Sequence, residues 1–499
     1  MSASSRQTPA AEARRCHEQA GTRLRAGDIG GAARLLDEAI AHDPGFALAW
    51  SDRATLRLRA GDAAGAVADL ERALALAPQT ATLWIELGLA HDAGGDAAAA
   101  LAAFEQACAL DPSLATAHYN CGVIQHRLGD LDAAVRSNRR AIALPNPPLM
   151  AWSNLGIALE QRGEAEAARA AYDEAIARAP NDPSAYWNKA QLELRSGDHA
   201  AGWKLYEWRW AAGKAGVPQR RYPGRPLWLG GAPLEGRTIL LHPEQGLGDI
   251  IQFARFAPLL TARGAQVILE VFTPLKPLFA GMEGVAKVIG SGEPPPPFDL
   301  HCPLLSLPLA LGITGETLLR ETPYVTPDPA RAAAWRARLG PATRPRIGFV
   351  WKGNPKFPND ANRSVPLADF ATLFGADAEF LSLQKEVTED ERRLLASHAN
   401  VRQMGPALED FGETAAILAN CDAAIVIDTS VAHLAGALAI PAALLLPARA
   451  DWRWMQNPTE TPWYPTLRLY RQPTPADWTQ PLAGARTFLE TLAGGETAG

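Results

Sequence analysis

The sequence has few cysteines, and they lie far apart. None of the five belongs to a CxxC pair; they are Cys16, Cys108, Cys121, Cys302 and Cys421. Disulfide frameworks and cysteine-rich zinc sites need closer and more regular spacing. We therefore expect a reducing compartment in which each cysteine is a small, buried, apolar residue.

A strong charge of either sign is also missing. The formal net charge is -6 over 499 residues, and 20% of the residues are charged. General binding to nucleic acid depends on clustered lysine and arginine, so this composition argues against it. Net charge does not exclude a basic pocket at one site, because it says nothing about local charge.

The sequence lacks a long uninterrupted apolar run. The longest extends from about residue 432 to 448, and Pro441 interrupts it. A helix, a turn and a buried strand explain this run better than a membrane span does. The polar N-terminal segment lacks the apolar core of a signal peptide. We therefore expect a cytoplasmic protein without a membrane span.

What the sequence does contain is a strict period of 34 residues. Glycine followed by an acidic residue marks it at Gly27-Asp28, Gly61-Asp62, Gly95-Asp96, Gly129-Asp130, Gly163-Glu164 and Gly197-Asp198. In the same register, aromatic residues or histidine recur at Trp50, Trp84, His118, Trp152 and Tyr186. Alanines recur at Ala39, Ala73, Ala107, Ala141 and Ala175, and prolines at Pro44, Pro78, Pro112 and Pro180.

This pattern predicts units made of a helix, a Gly-Asp turn, a second helix and a proline stop. Glycine permits the left-handed backbone at the end of a helix, and alanine lets neighbouring helices approach closely. The units resemble the tetratricopeptide repeat (TPR) family, and the resemblance covers residues 13–212 as six repeats.

One polar column follows the same register on the first helices of the units. It contains Asp52, Glu86, Asn120, Asn154 and Asn188. Because an amide side chain both donates and accepts hydrogen bonds, a ladder of asparagines is able to hold an extended peptide by its main chain. The TPR arm of O-GlcNAc transferases resembles this ladder. The alternative is that these asparagines are ordinary solvated polar residues.

The second half of the chain predicts a different architecture. The repeat register stops at a linker over residues 213–236, and short apolar strands then alternate with helices over 237–325 and 343–475. Such alternation indicates parallel sheets covered on both faces, here as two Rossmann-like lobes with a cleft between them. We expect a final helix over 476–492 to pack back on the lobes. Because ligands bind at the carboxyl ends of parallel strands, the loops there are the candidate sites.

The first such loop is Gly246-Leu247-Gly248-Asp249, between a strand and a helix. Glycines let a ligand approach the backbone, and the helix start directs amides toward it. Asp249 has two equal interpretations: a general base that faces the cleft, or a cap of the helix that follows.

Two further loops carry polar residues after strands of the second lobe. Lys352 follows the strand IGFV, with Arg363 further on, and this lysine is either a phosphate ligand or a solvated cation. Asp428, Thr429 and Ser430 follow the strand AAIVI and precede a helix whose free amides suit a diphosphate. His433 lies within one turn of that helix start, and taken alone it would more often be a packed structural residue.

These three loops in this order resemble the GT-B glycosyltransferases related to bacterial heptosyltransferases, glycosyltransferase family nine. The segment DTSVAHLAGAL matches the D-[ST]-G-x-x-H-L-A-x-A-L stretch of that family, with Ser430 where glycine is usual. The segment HPEQGLGDIIQFARF also resembles the catalytic halves of bacterial TPR-glycosyltransferases that modify flagellin. The fold expected from the resemblance is an α-helical TPR solenoid followed by an α/β GT-B module of two Rossmann-like lobes.

The resemblance assigns roles by position. Asp249 would be the catalytic base. The residues that would bind the donor phosphates are Gly246, Gly248, Lys352, Arg363, Lys385, Asp428, Thr429, Ser430 and His433. Trp452 and Trp454 would either stack on a base or sugar or belong to the core. Because Ser430 fills space that glycine would leave open, the identity of the nucleotide stays undetermined.

The expected function is therefore transfer of a sugar from a nucleotide donor to a protein held by the TPR arm, with flagellin as the first acceptor to consider. No metal and no other cofactor is expected, since cations and helix dipoles would stabilise the leaving phosphate. Three alternatives remain: a scaffold with an inactive module, a transferase for a glycan or lipid-linked acceptor, and a nucleotide-sugar epimerase. ADP-heptose, UDP-hexose and CMP-nonulosonate are all open as donors.

Overall fold

The computed structural model describes residues 8–214, 221–356, 359–456 and 459–493. Residues 215–220 of the predicted linker and the first seven residues of the polar N-terminus lie outside this set. The chain divides into two compact units, Met1–Asn188 and Lys189–Gly499, which we describe one at a time.

Pairs of helices make up the N-terminal region. The first helices of the pairs are α1 (Pro9–Arg25), α3 (Ala47–Arg59), α5 (Ala81–Ala93), α7 (Ala115–Arg127), α9 (Met150–Gln161) and α11 (Pro183–Ser196). The second helices are α2 (Ile29–His42), α4 (Ala63–Leu76), α6 (Ala97–Leu110), α8 (Leu131–Ala143), α10 (Ala165–Arg178) and α12 (His199–Tyr206). The predicted TPR solenoid is confirmed.

The repeated residues stabilise the turns and helix ends of each repeat. The turn glycines adopt positive φ, for example +79° at Gly27. The aspartate that follows accepts a hydrogen bond from the backbone at the start of the next helix, 2.8 Å long between Gly31 N and Asp28 Oδ1. The repeated aromatic donates to the proline carbonyl six residues earlier, and Trp50 Nε1 lies 3.0 Å from Pro44 O. Trp84, His118 and Tyr186 have the same contact with their prolines, whereas Trp152 has Asn146 at the proline position.

The C-terminal region is α/β, as predicted, and contains two parallel sheets. The first sheet has the order β3-β2-β1-β4, with β1 (Thr238–His242), β2 (Gln266–Val271), β3 (Lys287–Gly290) and β4 (Leu300–Pro303). The second has the order β10-β9-β8-β5-β6-β7, with β5 (Arg346–Phe349), β6 (Glu379–Ser382), β7 (Val401–Gln403), β8 (Ala423–Ile427), β9 (Ala442–Leu446) and β10 (Leu467–Arg471).

Helices connect the strands of both sheets. Those of the first lobe are α13 (Leu247–Ala254), α14 (Ala257–Thr261), α15 (Lys276–Phe279) and α16 (Leu307–Leu311). Those that follow are α17 (Pro329–Leu339), α18 (Asp360–Arg363), α19 (Leu367–Phe370), α20 (Glu389–Ala396), α21 (Phe411–Leu418), α22 (Ser430–Ala437) and α23 (Thr479–Ala493).

The apolar run at 432–448 divides between elements, as expected: α22 ends at Ala437 and β9 begins at Ala442. Among the described residues, no helix combines the length and the hydropathy that crossing a membrane requires. The second helix of the last repeat, α12, is packed within the second unit, where its Trp203 lies in edge contact with Phe253 and Trp452. This aromatic group joins residues from both lobes into one core.

Candidate functional site

The first predicted loop lies at the carboxyl end of β1 and leads into α13. Gly246 is the extended residue before the helix, and Asp249 occupies the third position inside it. Asp249 Oδ2 accepts a hydrogen bond from Gly246 N at 2.7 Å, so this carboxylate closes a capping box. Asp249 therefore stabilises the start of α13, as one of the two interpretations predicted. It does so from the third position of the helix and not as the N-cap residue.

The other oxygen of Asp249 is bonded to the second lobe. Asp249 Oδ1 is ion-paired with Arg453 Nη2, and Arg453 Nη1 lies 2.8 Å from Asp451 Oδ1. The side chain of Arg453 is only 8% exposed, and that of Asp249 15%, so this pair is shielded from solvent. Burial raises the pKa of Asp249, and the Arg453 charge opposes that rise.

The third predicted loop lies at the carboxyl end of β8, before α22. Thr429 is the extended residue before the helix, and its side chain makes no capping hydrogen bond. Arg363 reaches this loop and donates a 2.8 Å hydrogen bond to the backbone carbonyl of Asp428. Burial, together with the nearby carboxylate of Asp451, raises the pKa of Asp428 to about 6. The loop therefore already holds negative charge close to its cations.

The helices α13 and α22 touch at their N-terminal ends. A Cβ atom at Gly248 would lie 2.6 Å from Cδ2 of His433, so only glycine fits there without a shift. His433 Nδ1 lies 3.0 Å from the hydroxyl of Tyr464, and its ring stacks on Trp454 with 5.0 Å between centroids. Burial lowers the pKa of His433 to about 3. At neutral pH this histidine is therefore uncharged and serves as packing between the lobes.

The two tryptophans considered as stacking residues are buried. Trp452 is 1% exposed and lies against Trp203 and Tyr206, while Trp454 is 0% exposed. Neither ring presents a free face to a base or sugar in this structure, so the geometry favours the core alternative. Because both rings are packed in the core, they fix the position of the loop that contains Arg453.

Lys352 and Lys385 of the second lobe have different surroundings. Lys352 Nζ is ion-paired with Glu391, whose other oxygen accepts a 3.1 Å hydrogen bond from Trp351 Nε1. The charge of Lys352 is therefore already compensated. Lys385 is exposed and lines a cavity of about 410 Å³ at the carboxyl ends of β6 and β7. Other polar residues of that cavity are Ser382, Gln384, Glu386, Arg392 and Gln403.

The sequence did not predict Arg453, the residue that links the two lobes at the site. Arg453 lies in the segment DWRWM between the two tryptophans that we singled out, and it is 204 positions from Asp249. Its Nε has no hydrogen-bond partner among the described residues, which leaves one buried donor available. No spacing in the sequence signals such a contact between lobes.

A second buried ion pair stabilises the loop that leads into α13. Arg209 Nη2 lies 3.0 Å from Glu244 Oε1, and both side chains are 0% exposed. Burial raises the pKa of Glu244 to about 7, and Arg209 opposes the rise. Ser306 accepts a further hydrogen bond from Arg209 at 2.7 Å. The pair fixes the segment between β1 and α13, and so the position of Asp249.

The predicted asparagine column lies on α7, α9 and α11. Asn120 is 9% exposed, and Asn154 and Asn188 are half-buried. The two acidic members are already bonded: Asp52 to His17 at 2.6 Å, and Glu86 to Ser51 at 2.5 Å. Of this column, the amides of Asn154 and Asn188 are therefore more accessible than that of Asn120.

No group of three or more histidine, cysteine or acidic side chains in the described part of the chain has an arrangement suited to a metal ion. The cations at the predicted loops include Arg363 and Arg453, together with Lys352 beside its carboxylate.

Comparison with known proteins defines the class of the N-terminal half. Residues 17–81 and 153–207 match the family described as tetratricopeptide repeat, and residues 93–129 match the one described as TPR repeat. Two solved structures of TPR proteins each cover about a third of this chain. YrrB, described as a TPR protein with an unusual peptide-binding site, is 20% identical, covers 35% of this chain and 90% of its own, and has a TM-score of 0.31. MamA is 21% identical, with coverages of 34% and 92% and a TM-score of 0.32.

One curated relative extends beyond the repeats. Protein FlbA of Caulobacter vibrioides is 27% identical over 354 residues, which cover 64% of this chain. The match spans 58% of the length of that relative.

Proposed function

We propose that the C-terminal module is a glycosyltransferase that moves a sugar from a nucleotide donor to a protein bound by the TPR array. The observation that carries this proposal is the meeting of two helix N-termini, α13 and α22, at the carboxyl ends of two parallel sheets, with Asp249 and Arg453 paired across the lobes. Parallel sheets bind ligands at that end, and helix N-termini favour anions.

The donor diphosphate would bind at the start of α22. The backbone amides of its first turn, Arg363 beside Asp428, and the free Nε of Arg453 offer donors to phosphate oxygens. A helix end alone contributes roughly 0.3–1 kcal/mol toward a nearby charge, so the arginines are needed. The polar cavity beside Lys385 offers space for the nucleoside portion of the donor.

Asp249 would act as the general base. In the reaction, the acceptor hydroxyl loses its proton to Asp249, its oxygen bonds to the anomeric carbon, and the bond from that carbon to the phosphate oxygen breaks. The nucleotide leaves with the electron pair of that bond. While Arg453 is paired with Asp249 it weakens the carboxylate as a base, so the guanidinium has to turn toward the phosphates before transfer.

The acceptor in this proposal is a protein held in extended form by the asparagine column of the array, and flagellin is the first candidate to test. The alternatives give different results in the same assay. A scaffold with an inactive module binds partners without turning over any donor, and an enzyme for glycans or lipids transfers sugar without a protein acceptor.

The test is transfer of a labelled sugar by the full-length protein from UDP-, ADP-, GDP- and CMP-linked donors, read by intact-protein mass spectrometry of the acceptor. Asp249→Asn keeps an oxygen for the Gly246 amide but removes the base, and transfer should fall about 10²- to 10⁴-fold. Glu293→Gln, an exposed carboxylate of the same lobe paired with Lys276, is the matched control and should leave the rate unchanged. Equal rates for Asp249→Asn and wild type would exclude the proposed base.

A further inference from the structure

Three side chains of the TPR array form a contact group that the catalytic proposal does not use. Cys108 on α6 and Cys121 on α7 have their Sγ atoms 3.9 Å apart. Nδ1 of His118, also on α7, lies 3.4 Å from the Cys108 sulfur. We call this group the Cys-His-Cys cluster.

The repeat register makes this cluster exceptional within its own chain. At the register position of Cys108 the other repeats have Ile40, Leu74, Ile142 and Ile176. At that of His118 the first repeat has Cys16, and the later ones have Trp50, Trp84, Trp152 and Tyr186. The neighbouring repeats have Leu87 and Leu155 at the position of Cys121. Cys108 and His118 have thus replaced residues that are mostly apolar or aromatic in the other repeats. The position of Cys121 is leucine only in the neighbouring repeats and is polar at Gln19, Arg53 and Lys189. In the fold, the Cys108 sulfur contacts both His118 and Cys121.

The hydrogen bonds around His118 determine where its proton lies. Nε2 of His118 is 3.1 Å from the carbonyl oxygen of Pro112, and a carbonyl only accepts, so Nε2 carries the hydrogen. In the neutral ring the lone pair of Nδ1 therefore faces the Cys108 sulfur. The imidazole is placed to take the thiol proton of Cys108.

The position of Cys121 also indicates that Cys108 is the thiol that loses its proton. A hydrogen bond from Cys121 lowers the pKa of Cys108, while the pKa of Cys121 is raised by the same bond and by burial. Burial of Cys108 and the carboxylate of Glu105, one turn earlier on α6, both oppose this lowering of its pKa. Cys108 is partly exposed and Cys121 is 3% exposed, so an oxidant reaches Cys108 first. Cys108 is thus the reactive thiol and Cys121 the resolving one.

We infer that Cys108 and Cys121 form a site of reversible oxidation by hydrogen peroxide within the TPR array. The Cys108 thiolate attacks one peroxide oxygen, the O–O bond breaks, and the second oxygen leaves as water after taking a proton. Cys108 becomes a sulfenic acid. The Cys121 sulfur then attacks the Cys108 sulfur, the thiol proton leaves with the hydroxyl as water, and a disulfide forms. The two thiols lose two electrons, and the peroxide gains them.

Geometry permits this disulfide with a small movement. The sulfur atoms need to approach from 3.9 Å to about 2.05 Å, and both lie on adjacent helices joined by one turn. The bond would tie the second helix of one repeat to the first helix of the next, beside Asn120 of the asparagine column. Dithiols of reducing agents would reverse it.

The experiment exposes reduced full-length protein to hydrogen peroxide, blocks the remaining thiols with N-ethylmaleimide at timed intervals, and maps the peptides under non-reducing conditions. A protease that cuts before Asp111 separates the two cysteines, so a disulfide appears as two linked peptides. We expect the linked pair to form first and dithiothreitol to restore both thiols. Cys421, also partly exposed, is the internal control, because burial raises its pKa to about 12.

Two variants test the assignment of roles. Cys121→Ser should stop the reaction at a Cys108 sulfenic acid that dimedone traps. His118→Trp restores the residue of the other repeats and keeps a donor for the Pro112 carbonyl, and it should slow oxidation of Cys108 about tenfold. Helix content by circular dichroism checks that the array is intact. The inference is overturned if Cys108 in the wild-type protein reacts no faster than Cys421, or if oxidation yields no Cys108–Cys121 disulfide.

Discussion

The carboxylate of Asp249 in the first lobe is ion-paired with the guanidinium of Arg453 in the second, and that same guanidinium also holds Asp451. One buried cation therefore balances carboxylates from two sheets, with Asp428 nearby raising the negative charge further. Such a cation is available to a phosphate group only if the phosphate competes with the carboxylates. This competition links donor binding to the release of Asp249.

Arg453→Lys should weaken binding of nucleoside diphosphates by roughly tenfold or more. Lysine offers one point charge where arginine bonds to two carboxylates through separate nitrogens, so the bridge cannot be kept. Titration calorimetry measures the affinity directly. Arg344→Lys, at an exposed pair with Asp377 in the same lobe, should bind as wild type does. Equal affinities for Arg453→Lys and wild type would remove Arg453 from the donor site.

Gly248→Ala should disturb the contact between α13 and α22. The added methyl group would lie 2.6 Å from His433, whose ring is fixed by Tyr464 and Trp454. We expect a loss of about 1–3 kcal/mol in the free energy of unfolding, measured by urea denaturation. Gly224→Ala is the control, because a Cβ there meets no atom within 4 Å. The packing account is wrong if both variants unfold at the same urea concentration.

Asp428→Asn should change how stability depends on pH. The folded pKa of Asp428, about 6, lies above the unfolded value of about 3.9, so the folded state binds the proton more tightly. Wild type should therefore match the variant at low pH and lose stability relative to it as pH rises from about 4 to about 6, by on the order of 1–3 kcal/mol.

Urea denaturation at several pH values, followed by tryptophan fluorescence, measures this difference. Asp377→Asn, at an exposed position of the same lobe, is the matched variant. A constant offset between Asp428→Asn and wild type at every pH would show that the pKa of Asp428 is not raised in the folded protein.

Substitutions in the asparagine column should weaken the reaction with the protein acceptor and leave the reaction with the donor unchanged. Replacing Asn154 and Asn188 together with alanine removes hydrogen bonds to a bound main chain, at roughly 1 kcal/mol each. We expect kcat/KM for the acceptor to fall about 10- to 30-fold while hydrolysis of the donor by water stays unchanged. Asn181→Ala, on the turn before α11, is the control. Equal losses in both reactions would mean that the substitutions act on folding instead.

The fold was largely predictable, because its signals are local and repeated. The 34-residue register reports each Gly-Asp turn, and apolar runs such as 423–427 and 442–446 coincide with β8 and β9. The strands β3, β4, β7 and β10 were not predicted: β3, β4 and β7 have only three or four residues, and β7 and β10 carry polar side chains. Strand order does not follow from such patterns.

The site was only partly predictable, because its contacts join distant positions. The loops at Gly246 and Asp428 stand out as residues after strands, yet nothing in the sequence tells that Arg453 meets Asp249 or that His433 packs on Gly248. The pairing of Lys352 with Glu391 is hidden for the same reason. The Cys-His-Cys cluster, in contrast, was visible in principle, because Cys108 and His118 depart from the residues usual at their positions in the repeats and Cys121 lies three residues after His118.

The most direct test of the proposed activity is isothermal titration of the full-length protein with UDP, ADP, GDP and CMP. We predict that one of these nucleotides binds with micromolar affinity and that Arg453→Lys weakens this binding while Arg344→Lys does not. If none of the four releases heat or shifts the melting temperature of the wild-type protein, the module does not hold a nucleotide and the glycosyltransferase proposal fails.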